Sequence, residues 1–288
     1  MQHAIDQKCD QLSMTLVVLS VDVANDRVKG DLSNRQSVAT LIDIVLAGLV
    51  WAVIAGPPCE TFSKARQNPA PRNRLKPRVL RSSKWLWGLP FRSPGEWEHI
   101  DLSNALMRTT ILFGTVCAGT RTGFLHEHPR DPRTGHLPSC WRFPEIQNFR
   151  NYARSCANPL VEFHDFDQCC YGAKSQKPTT FLTLNLPLIG ARLASHPSRG
   201  RCNHPSGHLS LEGVDESGAF RTSYSKQYPT ELCQLIADAV CCQFAVSRGM
   251  TRWHALDRIE PALEQFYVPL DPYSDDHVWD RFASDRAR

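Results

Sequence analysis

The apolar residues fall in blocks whose spacing alternates between strand-like runs and helical stripes. Residues 15–23 (TLVVLSVDV) form a near-continuous Val/Leu run ending on Asp22, which predicts a strand buried on both faces. Val38, Leu41, Ile42, Val45 and Leu46 then share one face at helical spacing, and Ser33 or Asn34 can cap that helix. Residues 50–55 (VWAVIA) predict a second buried strand, stopped by Gly56-Pro57-Pro58. A strand, a helix and a strand in this order predict an α/β fold with a mostly parallel sheet.

The alternation continues. Asp101 is placed to cap a helix carrying Leu102, Ala105, Leu106, Thr109, Leu112 and Val116 along one face. A short strand near 121–127 leads into His126-Glu127-His128-Pro129, and residues 159–166 and 178–185 read as two more strands. Residues 186–222 mix Gly, Pro, His and Ser without a period and read as a small lobe or long loop. Pro229 opens a helix with Leu232, Leu235, Ile236, Ala239 and Val240 in register. Residues 1–14 read as a helix leading directly into the first strand, and the last twenty as a polar tail. The expected organisation is one domain over 1–185 and 223–267, an insertion at 186–222, and a tail at 268–288.

The longest apolar run, Ile44 to Gly56, is shorter than the ~20 residues of a membrane helix, so no membrane partner is expected. The N-terminus is polar and lacks a secretory pattern. The cysteines number eleven, and several sit inside apolar helical patterns. They read as reduced thiols of an intracellular protein, nuclear if the source is eukaryotic. The net charge of +4 is too small to indicate a partner, but its distribution is informative. From Lys64 to Arg92 there are nine basic residues and no acidic one, with Trp85, Trp87 and Phe91 among them. Ser63, Lys64, Arg66, Arg72, Arg74 and Arg78 are thus candidate contacts to nucleic acid, and the aromatics could stack on an unpaired base. The competing reading is a solvated loop whose aromatics pack on the core.

In open α/β sheets ligands gather at the carboxyl ends of the strands. Asp22, the turn at 57–59 and Glu127 all fall there. The two prolines stiffen the turn, Gly56 lets the chain turn sharply, and Cys59 is held at one place beyond a strand tip. That arrangement suits a thiolate attacking one atom of a bound substrate, although a structural turn with an incidental cysteine has the same sequence. Glu127 is read either as an acid acting with Cys59 or as a solvated strand-end residue.

On these residues a resemblance becomes specific. VIAGPPCETFS resembles the Pro-Cys motif of cytosine-5 DNA methyltransferases. Asp22 stands where that family ends a strand with an acid on the cofactor ribose, and Gly30-Asp31-Leu32 resembles its adenine contact. Glu127-His128-Pro129 resembles its Glu-Asn motif, FDQCCYGAKSQKPTTFLTLN (166–185) a later segment, and YPTELCQLIADAV (228–240) the closing helix. The likeness runs from about residue 15 to 245. It implies the S-adenosylmethionine-dependent methyltransferase fold, with Cys59 and Glu127 catalytic and Asp22, Asp31 and Pro57 on S-adenosylmethionine. DNA is the implied partner. Where that family has arginines contacting the active site and backbone this chain has none; Lys174 and Lys177 read either as their substitutes or as two solvated lysines of a strand-to-turn segment. The family's opening strand and Phe-x-Gly-x-Gly turn have no counterpart here, which predicts a sheet missing its first strand. Two functions follow: DNA cytosine-5 methylation, or a catalytically silent nucleic-acid-binding remnant of the same fold. Cys202, His204 and His208, with Cys169 or Cys170, are zinc-type ligands. Their spacing matches no strong motif and no Cys-x-x-Cys pair occurs, so the segment reads as a polar loop and no metal is expected.

Overall fold

The computed structural model describes residues 1–12, 16–66, 78–156, 161–204, 207–211, 216 and 221–246. The elements run α1 (Gln2–Gln11), α2 (Arg35–Leu46), β1 (Ala52–Ala55), α3 (Pro94–Thr120), β2 (Gly123–Pro129), α4 (Pro144–Ser155), β3 (Val161–Asp167), β4 (Pro178–Leu184), α5 (Pro187–Ser195) and α6 (Thr230–Val246). The fold class is α/β. The sheet order is β1-β2-β4-β3, with β1 parallel to β2 and β4 antiparallel to both its neighbours. The sheet is therefore mixed, not mostly parallel as the sequence suggested. The short link from β3 to β4, carrying a single 3₁₀ turn at Gln168–Tyr171, can return only antiparallel, because a parallel return needs a long crossover.

The strand period of two explains the layers. In β2, Phe124 joins a core with α2, α3 and α4, while its neighbour Leu125 joins a second core with α5 and α6. In β4, Leu182 faces the first core and Phe181 the second. Each face of the sheet thus carries helices. The small α1 closes the outside, with Ile5 and Cys9 packed on Ala237 and Cys241 of α6.

Several boundaries differ from the sequence reading. The run at 16–23 forms no strand among the described residues: Val17 is 93% exposed and Leu19 65%. Its apolar composition predicted burial, but it lies outside the sheet and has no strand partner. Asp101 lies inside α3 and does not cap it. The helix starts earlier at Pro94, where Ser93 and Glu96 form a reciprocal capping box that satisfies two orphan N–H groups. α4 was not anticipated, although Ile146, Phe149 and Ala153 are buried at spacings of three and four. Residues 186–222 are not uniformly irregular, since α5 buries Ile189 and Leu193 against the sheet. Asn34 caps α2 as expected, accepting from the N–H groups of Gln36 and Ser37. The tail at 268–288 lies outside the described residues. No helix among the described residues is long and apolar enough to cross a membrane.

The capping box makes a direct prediction. Ser93→Ala should lower stability by about 1 kcal/mol, read as a drop in urea midpoint with unchanged slope.

Candidate active site at the ends of β1 and β2

β1 and β2 pair in register from Ala52↔Gly123 to Ala55↔His126. One step further along each strand lie Gly56 and Glu127. A Cβ on Gly56 would stand 2.9 Å from the Tyr228 hydroxyl and 3.8 Å from Glu127 Oε2. Gly56 is thus required by close approach rather than by a left-handed turn, since its φ is not positive. Pro57 is buried behind the turn, and Cys59 opens a 3₁₀ turn at Glu60–Phe62.

Glu127 is 4% exposed and points to the α6 side of the sheet, whereas His126 and His128 alternate to the other. Its carboxylate sits at a meeting of three segments. Lys177 Nζ lies 3.2 Å from Oε1, Gln168 Nε2 donates to Oε1 at 3.4 Å, and the Tyr228 hydroxyl donates to Oε2 at 3.5 Å. Gln168 is held in turn by Thr179 Oγ1 at 3.1 Å, and Lys177 also donates to the Ser225 carbonyl at 3.2 Å. Burial, reinforced by Glu127 and Cys59, pushes the Tyr228 phenol well above its ordinary range, so it remains a donor.

Cys59 belongs to the same electrostatic group. Burial pushes its thiol up to about 11; Lys177 opposes this, while Glu127 and Glu60 add to it. At neutral pH the thiol is protonated, and forming the thiolate costs about 5 kcal/mol at pH 7. Any attack by Cys59 therefore needs a bound group that stabilises the anion or removes the proton. The neighbouring histidines do not serve: burial holds His126 down to about 3 and His128 well below its usual value, so both are neutral. Neither side of the His128 ring finds a hydrogen-bond partner among the described residues; the ring packs edge-on to Phe62 at 5.0 Å.

A buried guanidinium supports the turn from behind. Arg81 is fully buried and donates to Thr61 Oγ1 (2.9 Å), the Leu86 carbonyl (2.6 Å) and Ser103 Oγ (3.2 Å). It lies 4.2 Å over the Phe62 ring, and burial, aided by Arg92, pulls its ionisation down to about 9. Arg66 works similarly at the rim, donating to the carbonyls of Glu60 and Arg78. Part of the basic segment is therefore turned inward to hold the Cys59 turn. Arg78 is exposed and meets Glu96 at 3.2 Å, Lys64 and Lys174 are exposed or half-exposed, and Ser63 is half-buried. Arg72 and Arg74 lie outside the described residues. Among the aromatics, Trp87 stacks on Phe143 at 4.0 Å in the core, while Phe91 is exposed.

The site brings together Cys59, Glu127, Pro57 and Lys177, and adds Gln168, Tyr228 and Gly56, which the sequence reading did not single out as site residues. Lys177 is buried against Glu127, so it faces the site rather than solvent. Asp22 and Asp31 are placed elsewhere. Asp22 Oδ1 accepts from the Ala24 N–H at 2.8 Å, and Asp31 Oδ1 accepts from the N–H and hydroxyl of Ser33. Both carboxylates are engaged in stabilising their own turns beside the exposed 16–23 segment.

No family model, curated protein or solved structure matches this chain. The functional reading rests on the site itself.

Two outcomes follow. Glu127→Gln removes an anion that disfavours the thiolate and frees Lys177 to favour it, so the Cys59 ionisation should fall. Alkylation of Cys59 by iodoacetamide at about pH 8 should then run roughly three- to tenfold faster, with peptide mass mapping as the readout. Lys177→Met leaves Glu127 buried without its cation and should cost about 3–5 kcal/mol in denaturant unfolding.

Proposed function

We propose that this chain is a cytosine-5 DNA methyltransferase-like protein whose target-base side is built from Cys59 and Glu127. The observation that carries the reading is the pairing of β1 with β2, which presents the Gly-Pro-Pro-Cys turn beside a buried glutamate at the carboxyl ends of two parallel strands. A cytosine extruded from DNA would offer a ring edge with an acceptor nitrogen and an exocyclic amine. Glu127, steadied by Gln168, Tyr228 and Lys177, is placed to hold that edge. Cys59 would then add to carbon 6: the S–H proton passes by way of Glu127 to ring nitrogen 3, the sulfur lone pair forms the S–C6 bond, and the C5=C6 electrons make carbon 5 nucleophilic. The base must leave the helix, because stacking buries the reacting atoms. Desolvation of the thiol makes the attack conditional on a bound base, since only then does charge spread onto the ring and its hydrogen-bond partners.

In the family that the chain resembles, the methyl group comes from S-adenosylmethionine. Asp22 and Asp31 each commit one oxygen to their own turn, so the base side is the part that the geometry supports most directly. That commitment favours a second reading, a nucleic-acid-binding remnant that holds DNA on its basic segment without turnover. The solvent-facing Lys64, Arg78 and Lys174 and the exposed ring of Phe91 support DNA as partner in either case.

The base-side chemistry can be tested without a cofactor. Addition of Cys59 to carbon 6 makes carbon 5 accept a solvent proton; loss of the original hydrogen and expulsion of sulfur then complete an exchange. DNA carrying tritium at cytosine carbon 5 should release it to water in the presence of the protein. Cys59→Ser should abolish release while leaving DNA binding unchanged, and Glu127→Gln should slow it by at least about a hundredfold. Binding without any exchange would favour the remnant. In that case Arg72→Ala and Arg74→Ala should each flatten the salt dependence of binding by about one unit of slope.

A further inference from the structure

The loop after α5 returns to the end of β3. Asp167 is the anchor: its N–H donates to the Gly200 carbonyl at 2.7 Å, and its carboxylate accepts from the Cys202 N–H at 2.9 Å. Further on, the Leu209 N–H donates to the Lys174 carbonyl at 2.8 Å. These backbone ties place Cys202, His204 and His208 against Cys169 of the 3₁₀ turn that follows β3. One ligand atom from each of the four lies within 4.8 Å of every other.

The separations are specific. Cys202 Sγ is 3.7 Å from His204 Nδ1 and 3.4 Å from His208 Nε2, and the two nitrogens are 3.3 Å apart. A zinc ion with Zn–S of about 2.3 Å and Zn–N of about 2.0–2.1 Å in a regular tetrahedron separates S from N by about 3.6 Å and N from N by about 3.3 Å. The observed edges match that figure. The adjacent Cys170 is not part of the group, since its sulfur accepts from Ser198 Oγ at 3.4 Å.

We propose that Cys169, Cys202, His204 and His208 bind one zinc ion. Two thiolates and two neutral imidazoles balance the divalent charge, and borderline-soft sulfur and nitrogen donors in a tetrahedron select zinc over oxygen-loving cations. All four positions are filled by protein, so the ion is structural and has no open site for substrate. It fastens the 200–209 loop to the turn that also carries Gln168. The spacing hid this site because three ligands come from one loop and the fourth from a turn 33 residues earlier, as Cys169 and Cys202 show. The zinc site does not depend on the methyltransferase reading.

The full-length chain should be purified without chelator and its metal measured by atomic emission, with far-UV circular dichroism to follow folding. About one zinc per chain is expected, retained in Cys170→Ser and lost in Cys202→Ser combined with His208→Gln. Cobalt(II) added to the stripped wild-type protein should give the strong visible bands of a tetrahedral site and a thiolate charge-transfer band. That second measurement needs no variant to fold. A weak octahedral cobalt spectrum, a Cys169–Cys202 disulfide in the purified protein, or zinc content unchanged by the double variant would each overturn the proposal.

Discussion

Glu127 cannot be left alone where β2 places it. A carboxylate 4% exposed in the middle of a sheet loses its water, and an unpaired charge there would cost several kcal/mol. The chain satisfies it with donors from three separate places: Lys177 from just before β4, Gln168 from the turn after β3, and Tyr228 from just before α6. One buried acid thereby fixes the relative positions of β2, the β3–β4 link and the entry to α6. Such a pair contributes little net stability compared with apolar residues of the same size, so its presence is better explained by what it positions. What it positions is the rim around Cys59.

The same requirement explains the basic segment. Its run of nine cations looks uniform in sequence, yet the structure divides it by depth. Arg81 goes fully inside, where hydroxyls and a carbonyl take up its donors and Phe62 covers its face. Arg66 caps carbonyls at the rim, and Lys64 and Arg78 remain in solvent. A guanidinium can play the inward role because its five donors can all be met by neutral oxygens, and its weak hydration lowers the cost of burial. Charge counting along the sequence cannot separate these roles, since each is set by tertiary neighbours.

Much of the architecture was legible because it depends on local chemistry. Gly56-Pro57-Pro58 marks the end of β1, Asn34 caps α2, and the apolar runs at 159–166 and 178–185 nearly coincide with β3 and β4. Cys59 and Glu127 were legible as a pair because Cys59 follows β1 and Glu127 lies near the end of β2, its neighbour in the sheet. The direction of β4 was not legible, because strand composition carries no sign of polarity. The 16–23 run misled for a related reason. Its Val and Leu residues suit a buried strand, but no strand among the described residues pairs with it: Leu16 and Val18 pack on α1 and α6, and Val17 and Leu19 are left exposed. Gln168 and Tyr228 were missed because neither has a distinctive spacing; only the fold brings them to Glu127.

The turn Gln168–Tyr171 connects the two constellations. Gln168 reaches Glu127, and its neighbour Cys169 faces the sulfur–nitrogen cluster on the other side. A single residue step thus separates the donor that orients the buried acid from the Cys169 sulfur that faces Cys202, His204 and His208. The turn is fixed at its start, by the Gln168 N–H on the Lys177 carbonyl and by Asp167 on Gly200 and Cys202. Clamping Cys169 therefore restrains Gln168, and through it the carboxylate beside Cys59. An ordering of the loop would be felt at the site as reduced freedom of Glu127, with no ligand atom reaching the thiol itself. Orientation of the acid matters because a hydrogen-bonding group displaced by about an ångström loses much of its discrimination for one ring edge. Cys169 is itself part of the second core and Cys202 packs against it, so the cluster is joined to the turn beneath the site through packed residues.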